Sequence, residues 1–144
     1  MKKIGIVISK NILYYSVVSG ENKTTATIND AGQKNFQIDS NELMMDFERI
    51  FEELITKHNP NEICYKISEK LKLEQFPYMY YPFGVLNLIC EKKKIKTRVH
   101  SMSWISKKVK GKKKMDSFVE KFSDFSKKEE LKQSALIAWY DLGD

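Results

Sequence analysis

Two apolar blocks, Ile4 to Ile8 and Ile12 to Val18, stand on either side of a polar interruption at Ser9-Lys10-Asn11. Short runs of this kind around a tight polar break predict a β-hairpin, with strands over Lys3–Ser9 and Ile12–Ser19. Gly20-Glu21-Asn22 predicts the next turn. Thr24-Thr25-Ala26-Thr27-Ile28, rich in β-branched residues, predicts a third strand. Asn29-Asp30-Ala31-Gly32 is expected to break that strand, and Phe36-Gln37-Ile38 to extend the sheet briefly. The opening is therefore a three-stranded antiparallel meander.

The period then changes. Leu43, Phe47, Ile50, Phe51, Leu54 and Ile55 recur at spacings of three and four, one stripe of an amphipathic helix. Asp39 or Ser40 is the expected N-cap, and His58-Asn59-Pro60 the stop. NEICYKI, residues 61–67, predicts a fourth strand reached directly from a helix, hence parallel to the first. Residues 71–81 are aromatic and irregular, with Pro77 and Pro82 as breakers. Phe83 to Lys93 predicts a second helix, with Phe83, Leu86, Leu88 or Ile89, and Cys90 turned inward. Ile95 to His100 predicts a fifth strand. Met102 to Val109 predicts a short helix, and Gly111 interrupts the segment. Met115 to Phe122 resumes helix, and Ser126-Lys127-Lys128-Glu129 is the expected capping box of a last one. Its inward residues are expected to be Leu131, Ala135, Ile137 or Ala138, and Trp139. The fold class is α/β: a mixed five-stranded sheet, an antiparallel meander plus two parallel strands, with helices on both faces.

Composition agrees with a folded domain. The chain has 144 residues, 42% of them hydrophobic, with eight Phe, seven Tyr and two Trp. That length supports one domain, residues 1–144, burying roughly two-thirds of its unfolded surface. No apolar run approaches the ~20 residues that span a bilayer, and the N-terminal run reads as a strand rather than a signal peptide. Cys64 and Cys90 sit alone inside apolar runs, without metal spacing, which predicts buried, reduced thiols and a cytoplasmic location. His58 and His100 are also isolated and are expected at the surface or at loop edges.

Charge sharpens the picture. The net charge is +6, from 25 basic and 19 acidic side chains. Eleven of the basic residues fall between Lys92 and Lys114, a stretch without an acid, which leaves 14 basic residues against all 19 acids elsewhere. Such asymmetry predicts an anionic partner, DNA or RNA, met on one face. Arg98, Lys107, Lys108, Lys110, Lys112, Lys113 and Lys114 are the candidate contacts. Lysine is a point charge rather than a planar fork, so backbone contact is expected over base readout. The aromatic stretch FPYMYYPF, residues 76–83, is expected to lie as a lid over the sheet edge. Base stacking by Tyr78, Tyr80 and Tyr81 is its alternative use.

Taken with three local patterns, the order of elements resembles the ribonuclease H-like superfamily, in its RuvC-like Holliday-junction resolvase branch, over nearly the whole chain. KKIGIVISKN resembles the family's first strand, where an apolar-Gly-apolar-Asp run supplies a metal ligand. The helix from Leu43 followed by HNPNEICYKI resembles its long helix and the strand that ends in a catalytic glutamate. SWISKKVKGKKKMDSFVEKF resembles its basic, glycine-broken helical segment, and QSALIAWY the helix that carries the remaining acids. The chain is also similar to a group of uncharacterised bacterial proteins with this fold and an altered active site.

Carried over residue by residue, the acids disappear. Their places fall on Val7, Lys66, Leu131 and Ser134. Family catalysis needs carboxylates to hold two divalent ions about 4 Å apart, and such ions want oxygen ligands. The expectation is a protein without catalytic residues, metal or other cofactor, which binds nucleic-acid backbone through residues 92–114. An interaction or regulatory module, possible as a homodimer, is the alternative. A residual metal-dependent nuclease built on Glu69, Glu74, Asp116, Glu120 or Asp141 ranks below both.

Overall fold

The computed structural model describes residues 1–68, 70–100, 112–120 and 128–143. The expected helix over 102–109, the capping-box serine at 126 and the acid at 69 lie outside them, as do Lys107, Lys108 and Lys110.

Strand β1 (Lys2–Ser9) pairs antiparallel with β2 (Ile12–Ser19), and β2 pairs antiparallel with β3 (Thr27–Asn35). After helix α1 (Leu43–His58), strand β4 (Glu62–Lys66) returns parallel to β1. A 3-10 turn (Leu73–Gln75), a short helix α2 (Phe76–Met79) and helix α3 (Pro82–Lys93) lead to β5 (Lys96–His100), parallel to β4. Helices α4 (Lys112–Glu120) and α5 (Glu129–Trp139) complete the chain. The sheet order is β3-β2-β1-β4-β5, as the element order predicts.

Six consecutive residues of β1 and six of β2 are buried. Both faces of these strands are covered, which is why they read as continuous apolar blocks rather than as an alternation. On one face Ile4, Ile6, Leu13, Val17 and Ile63 meet the stripe Phe47, Phe51 and Leu54 of α1 and Phe83, Leu86 and Ile89 of α3. On the other, Val18 and Ala26 pack with Phe118 of α4 and Ala135, Leu136 and Trp139 of α5. The C-terminal end of α1 follows local chemistry. Asn59, at φ 47°, closes α1 by donating its N–H to the Ile55 carbonyl, and Pro60 forbids continuation.

Several local expectations are corrected. The third strand is Thr27–Asn35, not Thr24–Ile28, and the expected break at Asn29–Gly32 lies inside it. A register shift at Val17/Val18 absorbs the irregularity. Helix α1 starts at Leu43 behind Glu42, because Ser40 spends its hydroxyl on the Glu42 N–H in the preceding turn. In α3, Ile89 points inward and Leu88 outward. His58 and His100 are buried, each with Nε2 at 3.0 Å from an aspartate, Asp30 and Asp141 respectively.

Candidate functional site

Helix α5 crosses the sheet at Gly5. A Cβ on Gly5 would stand 1.8 Å from the Ser134 carbonyl oxygen, so only glycine lets the helix backbone come down onto the strand. The crossing fixes everything around it. Ser16, opposite Gly5 on β2, places its Oγ 2.6 Å from Ser134 Oγ, and Ser134 Oγ donates to the Leu131 carbonyl at 2.7 Å. Both serines are fully buried, and each hydroxyl finds a partner, as burial demands.

This crossing brings together the four positions singled out in the sequence. On β1, Lys3, Gly5 and Val7 face α5; on β4, Glu62, Cys64 and Lys66 do. The last β1–β4 pair is Ile6 with Tyr65, so Val7 and Lys66 come next on neighbouring strands at the same end of the sheet. Val7 is buried against Cys64 and Ile137 in a small dry cluster. Lys66 extends beyond it and donates from Nζ to Gln133 Oε1 at 3.2 Å. Burial lowers the Lys66 ammonium below the ordinary lysine range, while the nearby Glu130 and Glu129 favour its charge. Glu130 also adds to burial in raising the phenol of Tyr14, which sits opposite Val7.

Chemically, this is a cation beside carboxylates, with a valine and a serine behind it. The cluster offers a fixed positive charge and hydroxyls already occupied by one another. It offers no activated nucleophile: burial pushes the Cys64 thiol up to about 12, so it stays protonated at neutral pH. Among the described residues, no group of three or more His, Cys, Asp or Glu side chains comes close enough together to hold a metal ion.

A second polar system on the same face was not foreseen. Lys3 Nζ lies 3.5 Å from Glu62 Oε2, with both side chains almost fully buried. Arg98 Nε reaches Glu62 Oε1 at 2.9 Å and Asp141 Oδ2 at 3.2 Å, and His100 Nε2 meets the same Asp141 oxygen at 3.0 Å. Burial pushes the Glu62 carboxyl up, but the Arg98 hydrogen bond and the Lys3 charge outweigh it and hold the group below its usual range. Arg98, expected on a nucleic-acid surface, is half exposed and pairs with two carboxylates of its own chain. Asp141, one of the displaced-acid candidates, meets Arg98 and His100. The sequence did carry one signal: Lys3 is in phase with Gly5 and Val7, so a lysine had to share a face with buried residues.

The segment after β4 is mixed. Tyr78 and Met79 pack onto the core, as a lid would, while Tyr80 and Tyr81 are about half exposed. Lys112, Lys113 and Lys114 fall in the first turn of α4.

No family model and no curated protein matches the sequence. Solved structures do match the fold. The structure of Thermus thermophilus RuvC in complex with a Holliday junction substrate superposes with a TM-score of 0.76 at 13% identity, over 96% of this chain and 90% of that one. The fowlpox virus resolvase, solved with Holliday junction DNA, gives 0.66 at 13% identity over 97% of both chains. The yeast mitochondrial Holliday junction resolvase gives 0.67 at 16% identity, over 94% of this chain and 75% of that one. The chain has the ribonuclease H-like fold. Within it, the arrangement is the RuvC-like one.

Proposed function

We propose that this protein is a catalytically inactive RuvC-like chain that binds nucleic-acid backbone through its basic segment, residues 92–114. The observation that carries the first half is the pairing of Val7 with Lys66 at adjoining strand ends. An apolar cluster occupies the position the family resemblance assigns to one metal-binding acid, and an ammonium takes the place of another. A cation fixed there opposes divalent ions and suits a phosphate oxygen. The second half rests on the charge distribution, eleven basic residues without an acid over residues 92–114, and on a fold shared with proteins solved on junction DNA. Arg98 is half exposed but paired with two carboxylates, so the lysines carry most of the contact.

The test is fluorescence anisotropy with labelled four-way junction, duplex, single strand and RNA. The expected result is binding that is unchanged by EDTA and lost in a Lys110/Lys112/Lys113/Lys114→Ala variant. Lys66→Met should weaken binding several-fold while leaving the melting temperature equal or higher, because it removes a half-buried charge. If Lys66→Met binds as well as the parent chain, Lys66 is a structural lysine only.

A further inference from the structure

Strand β5 (Lys96–His100) ends the sheet: it pairs with β4 along one side, and among the described residues nothing pairs with the other. The Ile67 N–H donates to the His100 carbonyl, so His100, Arg98 and Lys96 turn their main-chain groups toward β4. Thr97 and Val99 turn theirs outward, each with an N–H donor and a carbonyl acceptor at the rim of the sheet. We propose that this rim takes an extended segment of a partner protein as an added strand, with an acidic residue against Lys96 and an apolar one against Val99.

The side chains set that pattern. Val99 shares a face with its pair residue Tyr65 and with Thr97. Helix α3 covers this face at Thr97, whose hydroxyl donates to Asn87 Oδ1 at 2.6 Å, but leaves Val99 54% exposed. An apolar residue directly opposite on an added strand would cover it. Lys96 points to the other face, is exposed, and makes no ion pair among the described residues. Lys92 and Lys94, just before the strand, are exposed as well. Arg98, on the face of Lys96, already has Glu62 and Asp141 and asks for no further acid.

The same features disfavour other occupants. A second copy adding edge to edge would set the cations Lys96 and Arg98 against those of its neighbour, which is how edge lysines keep like edges apart. A nucleic-acid strand would satisfy the lysines but not the alternating donors and acceptors of the rim. The opposite edge, β3, is guarded by the register shift between β2 and β3 and carries no exposed large apolar side chain. A five-residue edge is short, only ~17 Å long, so the contact is weak and reversible.

The test follows the amide NMR signals of the isotope-labelled full chain, without nucleic acid. A blocked hexapeptide of alternating glutamate and valine is added to about 1 mM. The controls are hexaglutamate, alternating lysine and valine, and the glutamate–valine peptide with an N-methylated backbone. The glutamate–valine peptide should bind at least about ten-fold tighter than each control. The Thr97 and Val99 amides should exchange quickly in the free chain and slowly in the complex. Val99→Pro removes an outward N–H where an edge strand tolerates proline. It should lose about ten-fold in affinity, with circular dichroism melting curves showing that the variant folds. Lys96→Glu should shift the preference to the lysine–valine peptide. No binding at the highest concentration overturns the proposal, as does hexaglutamate binding equally well. So does affinity indifferent to both Val99→Pro and Lys96→Glu, or an oligothymidylate that protects the Thr97 and Val99 amides as the peptide does. The junction titration is a separate measurement, and neither result decides the other.

Discussion

Gly5 and Ser134 set the distance between the last helix and the sheet, and with it the shape of the candidate site. Replacing Gly5 by alanine forces a methyl group into the Ser134 carbonyl, and the obstruction is backbone rather than a movable side chain. The expected cost is at least the 1–3 kcal/mol typical of an overpacked core, about the upper end or beyond. Urea denaturation should show it as a lowered midpoint at unchanged slope. Gly5 and Val7 were legible as neighbours in the motif that the first strand resembles, but not the helix backbone that comes down onto Gly5. Ser16 and Ser134 were not legible as a pair. They lie 118 residues apart, and nothing local to either residue announces the other. Lys66 shows a similar limit: its place near a strand end could be read, but not the Gln133 that holds it.

Among the elements, β1, β2 and β4 and helices α1 and α3 follow from periodicity to within a residue or two, because each places apolar residues on a core; β5, with only His100 buried, was legible from its place after α3. Strand β3 does not follow in either way. Its Asn29-Asp30-Ala31-Gly32 has the composition of a turn, yet pairing with β2 holds it extended, and Asp30 receives the buried His58. Tertiary context thus overrides propensity where a polar strand residue has a buried partner. The two buried histidines give a pH prediction at this scale. Burial holds both below the ordinary histidine range. Asp30 opposes that at His58, with Lys57 and Lys2 reinforcing it; Asp141 and Glu62 oppose it at His100, with Arg98 reinforcing it. A histidine whose folded pKa is lowered takes up its proton more readily when unfolded. Stability is then full above about pH 6.5 and falls as pH drops from there toward the folded pKa. Glu62 acts lower: its depressed carboxyl contributes above the ordinary carboxylate range and loses that contribution as pH falls through its folded pKa. Denaturation at pH 7.5 and 5.5 should show reduced stability at the lower pH, and His58→Asn/His100→Asn should narrow the difference. Equal stability of the parent chain at the two values would contradict the account.

For the molecule as a whole, fold and charge separate cleanly. The RuvC-like arrangement could be read from element order with a few motifs, because each crossover has only one sensible hand and neighbour. The ion network of Lys3, Glu62, Arg98, His100 and Asp141 could not, since it joins β1, β4, β5 and the C-terminal tail. That network pairs the half-exposed Arg98 with two carboxylates of its own chain, while the lysines of residues 92–114 are the proposed contacts for an anionic partner. About five such lysines on phosphates predict a log–log salt slope of about −4 to −5.

The proposed function is that of a resolvase-like fold that holds nucleic acid without cutting it. Its most direct test is one titration of a labelled four-way junction from about 50 to about 200 mM salt, in EDTA and in magnesium or manganese, with the strands recovered afterwards on a denaturing gel. The account predicts the same salt-sensitive binding under all three conditions and full-length strands throughout. Metal-dependent cleavage, or no binding at the lowest salt, would contradict it.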